Sequence, residues 1–208
     1  MGLKAHAWVS IAIATIIGMA AVGSCHADEI PREAQKYRRD LVRNARLVWG
    51  MEAPVSAFAA QIHQESRWRP DARSPFASGL AQFTPATADW IGDVDADLAD
   101  AQPLNPAWAL RALVRYNKML YDRAGGATPC DSAWMMLWAY NGGETWVRRD
   151  KMLAQQHGAD VRVAKDVEPF NAGRSSSSIQ ENRSYPRLIL LRWQPLYIQA
   201  GWGLGVCV

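Results

Sequence analysis

A proline opens most stretches of this chain in which apolar residues recur with a helical period, and a glycine closes several of them. Pro31 heads a polar, arginine-rich stretch that stops at Gly50, and Pro54 heads the next. Thr84-Pro85 and Asn105-Pro106 each put a capping side chain just before a proline; Gly92 and Gly125-Gly126 follow them. Proline suits the first helical position because its missing N–H would have no partner there, and glycine suits the residue past the end because it accepts left-handed backbone. The pattern predicts helices over these stretches. In the one opened by Pro106, Trp108, Ala112, Tyr116 and Leu120 recur every fourth residue. Pro129 to Asn141 is the most apolar stretch and reads as the central helix. Residues 144–156 continue as helix, and 180–200 form a last one, interrupted or kinked at Pro186 and Pro195. Trp68-Arg69-Pro70-Asp71 breaks the helix opened by Pro54, since a residue before proline is pushed out of helical backbone. Residues 72–82, with Pro75, Ser78 and Gly79 as turn residues, read as a small irregular or β-like excursion. Gly158 to Ser178 reads as a long loop whose most flexible part is Ser175-Ser176-Ser177-Ser178. The fold class is mainly α.

The N-terminus reads as an export signal. Lys4 is the only charge before Asp28, and Val9 to Gly23 is apolar but shorter than the roughly 20 residues that a membrane span needs. Cleavage after Ala27 gives a division into a signal peptide, 1–27, and one domain, 28–208, and it implies a periplasmic location. Val22-Gly23-Ser24-Cys25 also resembles a lipoprotein box, which would anchor the chain through Cys25; an uncleaved segment would be a membrane anchor. Residues 1–27 hold one lysine and no acid, so the net charge of +3 falls by one in the remainder. That bias is too weak to argue for nucleic acid. Cys130 and Cys207 are then the two remaining thiols, and an oxidising compartment favours one disulfide over two separate thiols.

Glu65 is the residue with the most chemical content. At 100° per residue, Val55, Phe58 and Ile62 share its arc. A carboxyl on a buried face favours its protonated form, and an acid protonated near neutral pH can donate to a leaving group. The alternative is a solvated helix-end residue paired with Arg67 or Arg69. Nine tryptophans follow residue 27. Trp90, Trp108 and Trp138 stand either as platforms for sugar rings or as core.

Four segments stand in order: Glu65-Ser66, Gly79-Leu80-Ala81-Gln82-Phe83-Thr84-Pro85-Ala86-Thr87, Ala139-Tyr140-Asn141-Gly142-Gly143 and Glu181-Asn182-Arg183-Ser184-Tyr185. Their order and spacing resemble the soluble lytic transglycosylase family over roughly residues 50–200. The resemblance implies a lysozyme-like fold with no cofactor. It also implies cleavage of the MurNAc-GlcNAc β-1,4 bond of peptidoglycan with 1,6-anhydro-muramic acid ends. By the same resemblance Glu65 is the catalytic acid and then base, and Ser66 supports its geometry. Gln82 bonds the sugar, Tyr140 and Asn141 lie beneath and beside Glu65, Glu181 belongs to the fourth motif, and Tyr185 reaches the carboxyl. The chain departs from the family at Ala81, where methionine is usual, and at Asn182, where threonine is usual. Ala81 implies a smaller groove wall; Asn182 and Pro186 leave the register of the last motif open.

Glycosidic cleavage usually employs two carboxylates. The candidates for the second are Asp71 and Asp89, both in polar, loop-like or helix-surface contexts. One carboxyl suffices if the substrate's own acetamido group and 6-hydroxyl act as nucleophiles, as in the family. The alternatives are goose-type hydrolysis, with Asp71 or Asp89 holding a water, and a cell-wall-binding role in an envelope-spanning secretion or conjugation complex. Asp93-Val94-Asp95-Ala96-Asp97 begins like a calcium loop but has Leu98 where glycine is needed. His63 has no second ligand at zinc spacing and reads as a polar helix residue.

Overall fold

The computed structural model describes residues 28–208. The expected export signal, 1–27, and the alternative lipidation site at Cys25 lie outside the described residues. Helices dominate, in the order α1 (Ala34–Trp49), α2 (Val55–Ser66), α3 (Pro85–Val94), α4 (Pro106–Ala124), α5 (Pro129–Gly142), α6 (Glu144–Gln156), α7 (Ala164–Val167), α8 (Ser176–Pro186) and α9 (Gln194–Gln199). A π-helical segment, Arg187–Trp193, joins α8 to α9, so Pro186 and Pro195 sit at the two junctions of one continuous helical run. Among the described residues no helix is long and apolar enough to cross a membrane.

The starts follow local chemistry. Thr84 accepts from the N–H of Thr87, and Asn105 accepts from the N–H groups of Ala107 and Trp108. At α5, Thr128 and Asp131 satisfy each other's backbone N–H groups ahead of Pro129. Met135, Met136, Leu137, Trp138 and Ala139 of α5 are buried, and α4, α6 and α8 pack around it. A helix apolar on all sides must be covered on all sides, so α5 is the axis of the core.

Three segments differ from the sequence-based expectation. Helix α3 runs through Gly92 to Val94. Gly92 stands there for close approach, because a Cβ would lie 3.1 Å from the carbonyl oxygens of Leu98 and Ala99. The stretch 158–178 is no free loop. It contains α7, and Ser175 accepts from the N–H of Ser178 to start α8, so the serine run is a helix cap. Buried Asp150 accepts from the N–H of Ala172 at 2.9 Å and pairs with Arg174 and Arg183, pinning the segment from within. His63, read as a polar helix residue, is on α2 and buried: its ring stacks on Trp193, and its Nδ1 lies 3.1 Å from the Tyr197 hydroxyl. Burial pushes its pKa down to about 4.

Residues 72–83 carry two isolated antiparallel bridges, Arg73 with Ser78 and Ser78 with Phe83. Gly79 sits at φ +80°, and a Cβ there would lie 1.8 Å from the carbonyl oxygen of Pro103. Only glycine lets this loop lie flush against the segment behind it.

The C-terminal tail is clasped. Gln194 exchanges two hydrogen bonds with Val206 at 2.8 and 2.9 Å, and Trp202 is buried in the core. Cys130 and Cys207 are bonded, with Cα atoms 4.8 Å apart and a sequence separation of 77. A crosslink over so long a loop removes chain entropy from the unfolded state. Reduction, or Cys207→Ser, is expected to lower stability by about 2–4 kcal/mol. Urea unfolding with and without reductant measures it; identical midpoints would overturn it.

Candidate active site

Helix α2 carries Glu65 in its last turn and then stops abruptly. Arg67 and Trp68 both take left-handed backbone, with φ of 52° and 64°. The turn drives Trp68 into the core, where its indole N–H donates to Tyr197 at 2.6 Å. The chain then leaves Glu65 at a helix end that faces open space. Ser66 Oγ donates to the carbonyl of Leu80 at 2.9 Å and so fastens the excursion to the end of α2. Gln82 closes the loop at φ 48°, and its Nε2 donates to the carbonyls of Ala72 and Gly79 at 3.2 and 2.9 Å. Its side-chain oxygen is left to the groove.

The groove has a volume of about 330 Å³, and Glu65, Phe76, Gln82, Tyr116, Tyr140 and Glu181 line it. The end of α5 supplies Tyr140 and Asn141. Tyr140 donates to the carbonyl of Ala81 at 2.8 Å, tying α5 to the excursion. Helix α8 supplies Glu181 and, one turn on, Tyr185, which share a face at i and i+4. Tyr185 stacks on Tyr140 with ring centroids 6.5 Å apart and donates its hydroxyl hydrogen to Oε1 of Glu65. Asn182 is the hub beneath: its Nδ2 donates to the Trp138 carbonyl and to Asn141 Oδ1, at 2.8 and 3.1 Å. Asn141 in turn donates to Glu181 at 3.4 Å.

The electrostatics follow from this packing. Glu65 keeps one edge open to the groove and is otherwise enclosed. Burial pushes its carboxyl pKa up to about 8; the Tyr185 hydrogen bond pulls the other way, and the nearby Glu181 charge adds to the rise. The C-terminal end of a helix also disfavours a carboxylate. Burial holds the Tyr140 and Tyr185 hydroxyls well above the usual tyrosine range, so both remain neutral donors. At neutral pH the site holds a neutral acid whose hydrogen-bond donor, Tyr185, and whose neighbour Tyr140 are neutral too.

The structure sorts the residues singled out in the sequence. Glu65, Gln82, Tyr140, Asn141 and Glu181 share the groove, and Tyr185 stands behind Glu65. Ser66 and Ala81 do not line it: both are buried, so the smaller groove wall expected from the Ala81 side chain is not found, and what position 81 offers the site is a backbone carbonyl that accepts from Tyr140. Asp71 and Asp89 are exposed and stand outside the groove. Trp108 and Trp138 are core, while Trp90 is at the surface against Tyr116. Asp95 and Asp97 are both taken by Arg115. Among the described residues no cluster of three His, Cys, Asp or Glu side chains can hold a metal ion. Sequence reasoning missed Phe76 and Tyr116. Phe76 carried one signal, an aromatic inside a turn-rich polar stretch.

A carboxyl whose pKa rises on folding binds its proton more tightly in the folded state. Stability therefore falls as pH climbs from the unfolded value, 4.5, to about 8. Glu65→Gln removes that penalty. The melting temperature of the variant minus that of the parent is expected to widen between pH 5 and pH 8, as read by calorimetry; a gap independent of pH would overturn the raised pKa.

The family model described as the Transglycosylase SLT domain matches residues 47–162, which takes in Glu65, Gln82, Tyr140 and Asn141 and stops short of Glu181 and Tyr185. Among curated relatives, the membrane-bound lytic murein transglycosylase F of Vibrio parahaemolyticus is 28% identical over 178 residues, or 85% of this chain and 28% of the relative. The protein of that name from Marinobacter nauticus is 28% identical over 145 residues, 69% of this chain and 26% of its own length. That of Shewanella pealeana is 31% identical over 111 residues, 52% of this chain and 22% of the relative. The chain spans about a quarter of the length of these relatives. With more than half of its residues under the family model, the chain belongs to the Transglycosylase SLT domain family.

Proposed function

We propose that this chain is a peptidoglycan lytic transglycosylase that cleaves the MurNAc-GlcNAc β-1,4 bond. The observation that carries the proposal is Glu65, a carboxyl kept protonated near neutrality by burial at the floor of a groove lined, apart from the Glu181 side chain, by neutral donors and aromatic rings. The names of the relatives, lytic murein transglycosylases, support the substrate class.

Glu65 gives its proton to the glycosidic oxygen, and the bond from that oxygen to C1 of the muramic residue breaks. The acetamido oxygen of the same sugar takes up the vacant position at C1. Glu65, now a carboxylate, accepts the proton of the C6 hydroxyl as its oxygen attacks C1 and displaces the acetamido oxygen. The ring closes as a 1,6-anhydro sugar and no water is consumed. One carboxyl thus serves as acid and then base, which requires a pKa near the working pH. Glu181, exposed and tethered to Asn141, is the other carboxylate of the groove and is suited to orienting the sugar. Phe76, 78% exposed, and Tyr116 offer flat apolar faces to sugar rings. Export through residues 1–27 would deliver the enzyme to the periplasm, where this polymer is found.

Digestion of purified sacculi followed by mass analysis tests the proposal. Released fragments are expected one water lighter than hydrolytic products. Glu65→Gln is expected to lower release by about 10²- to 10⁴-fold while the fold is kept. Reducing ends would instead identify a hydrolase, and release at the parental rate by Glu65→Gln would remove Glu65 from the chemistry.

A further inference from the structure

Tyr185 holds Glu65, and Tyr185 is itself held by two amides that do not reach the groove. Gln61 lies one turn before Glu65 on α2, and Asn117 lies on α4; both are fully buried. Asn117 Nδ2 donates to Gln61 Oε1 at 2.6 Å. Gln61 Nε2 donates to the Tyr185 hydroxyl oxygen at 3.3 Å. Tyr185 donates onward to Oε1 of Glu65. All three hydrogen bonds of this row point the same way, from α4 through α2 and α8 to the carboxyl.

A chain of amides and a hydroxyl has two polarities. In the reverse one, Gln61 turns its carbonyl to Tyr185 and takes the phenolic hydrogen. Glu65 must then donate its own proton to the Tyr185 oxygen, and that proton is withheld from the groove. Asn117 decides between the two. In the observed polarity its Oδ1 is the atom without a partner. In the reverse polarity Oδ1 would accept from Gln61 and the whole NH₂ would be stranded. A buried orphan carbonyl oxygen is better tolerated than a stranded donor group.

We infer that Gln61 and Asn117 are positioning residues whose buried amides fix the direction of the Tyr185 hydroxyl, making Oε1 of Glu65 the permanent acceptor and Oε2 the oxygen that carries the transferable proton. This rests on the acid role of Glu65 proposed above. It assigns work to two polar side chains in an apolar core that the groove itself never touches. It also explains why burial does not carry the Glu65 carboxyl beyond usefulness: a fixed donor favours the ionised form that the second half of the reaction needs.

The titratable groups facing Glu65 are Tyr140 of α5 and Tyr185 and Glu181 of α8, with Tyr116 of α4 behind Tyr140. The π-helical segment and α9 face the other side of α2, where Trp193 and Tyr197 enclose His63. The test leaves all of these unchanged except Tyr185.

The titration of Glu65 is followed by ¹³C NMR of its carboxyl in the parent, Asn117→Leu, Tyr185→Phe and the double variant, alongside the pH profile of sacculus digestion. Asn117→Leu frees the Gln61 amide to turn, so Glu65 loses its fixed donor. Its titration, and with it the alkaline limb of the profile, is expected to rise by about one pH unit. In the Tyr185→Phe background the same substitution is expected to move neither, because the row of hydrogen bonds is cut at the missing hydroxyl. A merely structural role for Asn117 would give equal effects in both backgrounds. Equal shifts, or no shift in a folded Asn117→Leu, would overturn the inference. Gln61→Met, similar in volume but unable to donate, is expected to shift the titration in the same direction and serves if Asn117→Leu fails to fold. Because the NMR titration needs no turnover, a shift without glycan cleavage would sink the proposed activity and leave the relay standing.

Discussion

The groove end of α8 depends on a carboxylate that has no access to water. Asp150 is fully buried and meets the guanidinium of Arg183 at 2.8 Å and that of Arg174 as well. Two cations around one anion leave positive charge in excess, and neutral groups absorb it. Arg183 donates to the carbonyls of Glu168 and Phe170, both arginines donate to Asn182 Oδ1, and Arg183 lies 4.2 Å from the Trp138 ring. Removing one member of such a knot strands the others in a medium that cannot solvate them. The knot joins α6, the stretch after it and α8 at one point, and so sets the height at which α8 crosses α5. Asn182, Asn141 and Tyr185 take their positions from that crossing.

The same interior treats two acids in opposite ways. Asp150 is buried against guanidinium groups. Glu65 is buried against a phenol at the negative end of a helix, and its proton stays on. The contrast arises from partners supplied by distant parts of the chain: Tyr185 is 120 residues from Glu65. Neither side chain announces its state in its own neighbourhood of sequence. A carboxyl that is to alternate between giving and taking a proton needs this second kind of surrounding, with donors of fixed direction and no counter-ion to trap the charge.

What could be read from sequence was local. Thr84-Pro85, Asn105-Pro106 and Pro129 mark helix starts because the groups that satisfy a first turn are its immediate neighbours. The apolar arc of Val55, Phe58 and Ile62 placed Glu65 on an inward face. The four motif segments supplied Glu65, Gln82, Tyr140, Asn141 and Glu181 of the groove, and left out Phe76 and Tyr116. What could not be read was long-range. The serine run at 175–178 has the composition of a linker, and its role as a cap depends on the following segment finding α5 to pack against. Gly92 looked like a stop because its contact with the turn at residues 98 and 99 is invisible in sequence. His63 read only as a polar helix residue because Trp193 and Tyr197, which enclose it, arrive 130 and 134 residues later. Gln61 and Asn117 did carry a faint signal, each a polar amide among residues that pack inward, but only the folded chain pairs them.

The flush contact at Gly79 has a consequence for how such a groove can change over evolution. One wall of the cleft is a thin loop whose back is pressed against Pro103, so the width of the opening is governed from the rear. A methyl group at that position would lie 1.8 Å from the Pro103 carbonyl oxygen, so it could be admitted only by separating the loop from the segment behind it. Substitutions that tune what the cleft admits are therefore confined to side chains pointing outward, such as Phe76, while the backbone beneath them is held to a single shape.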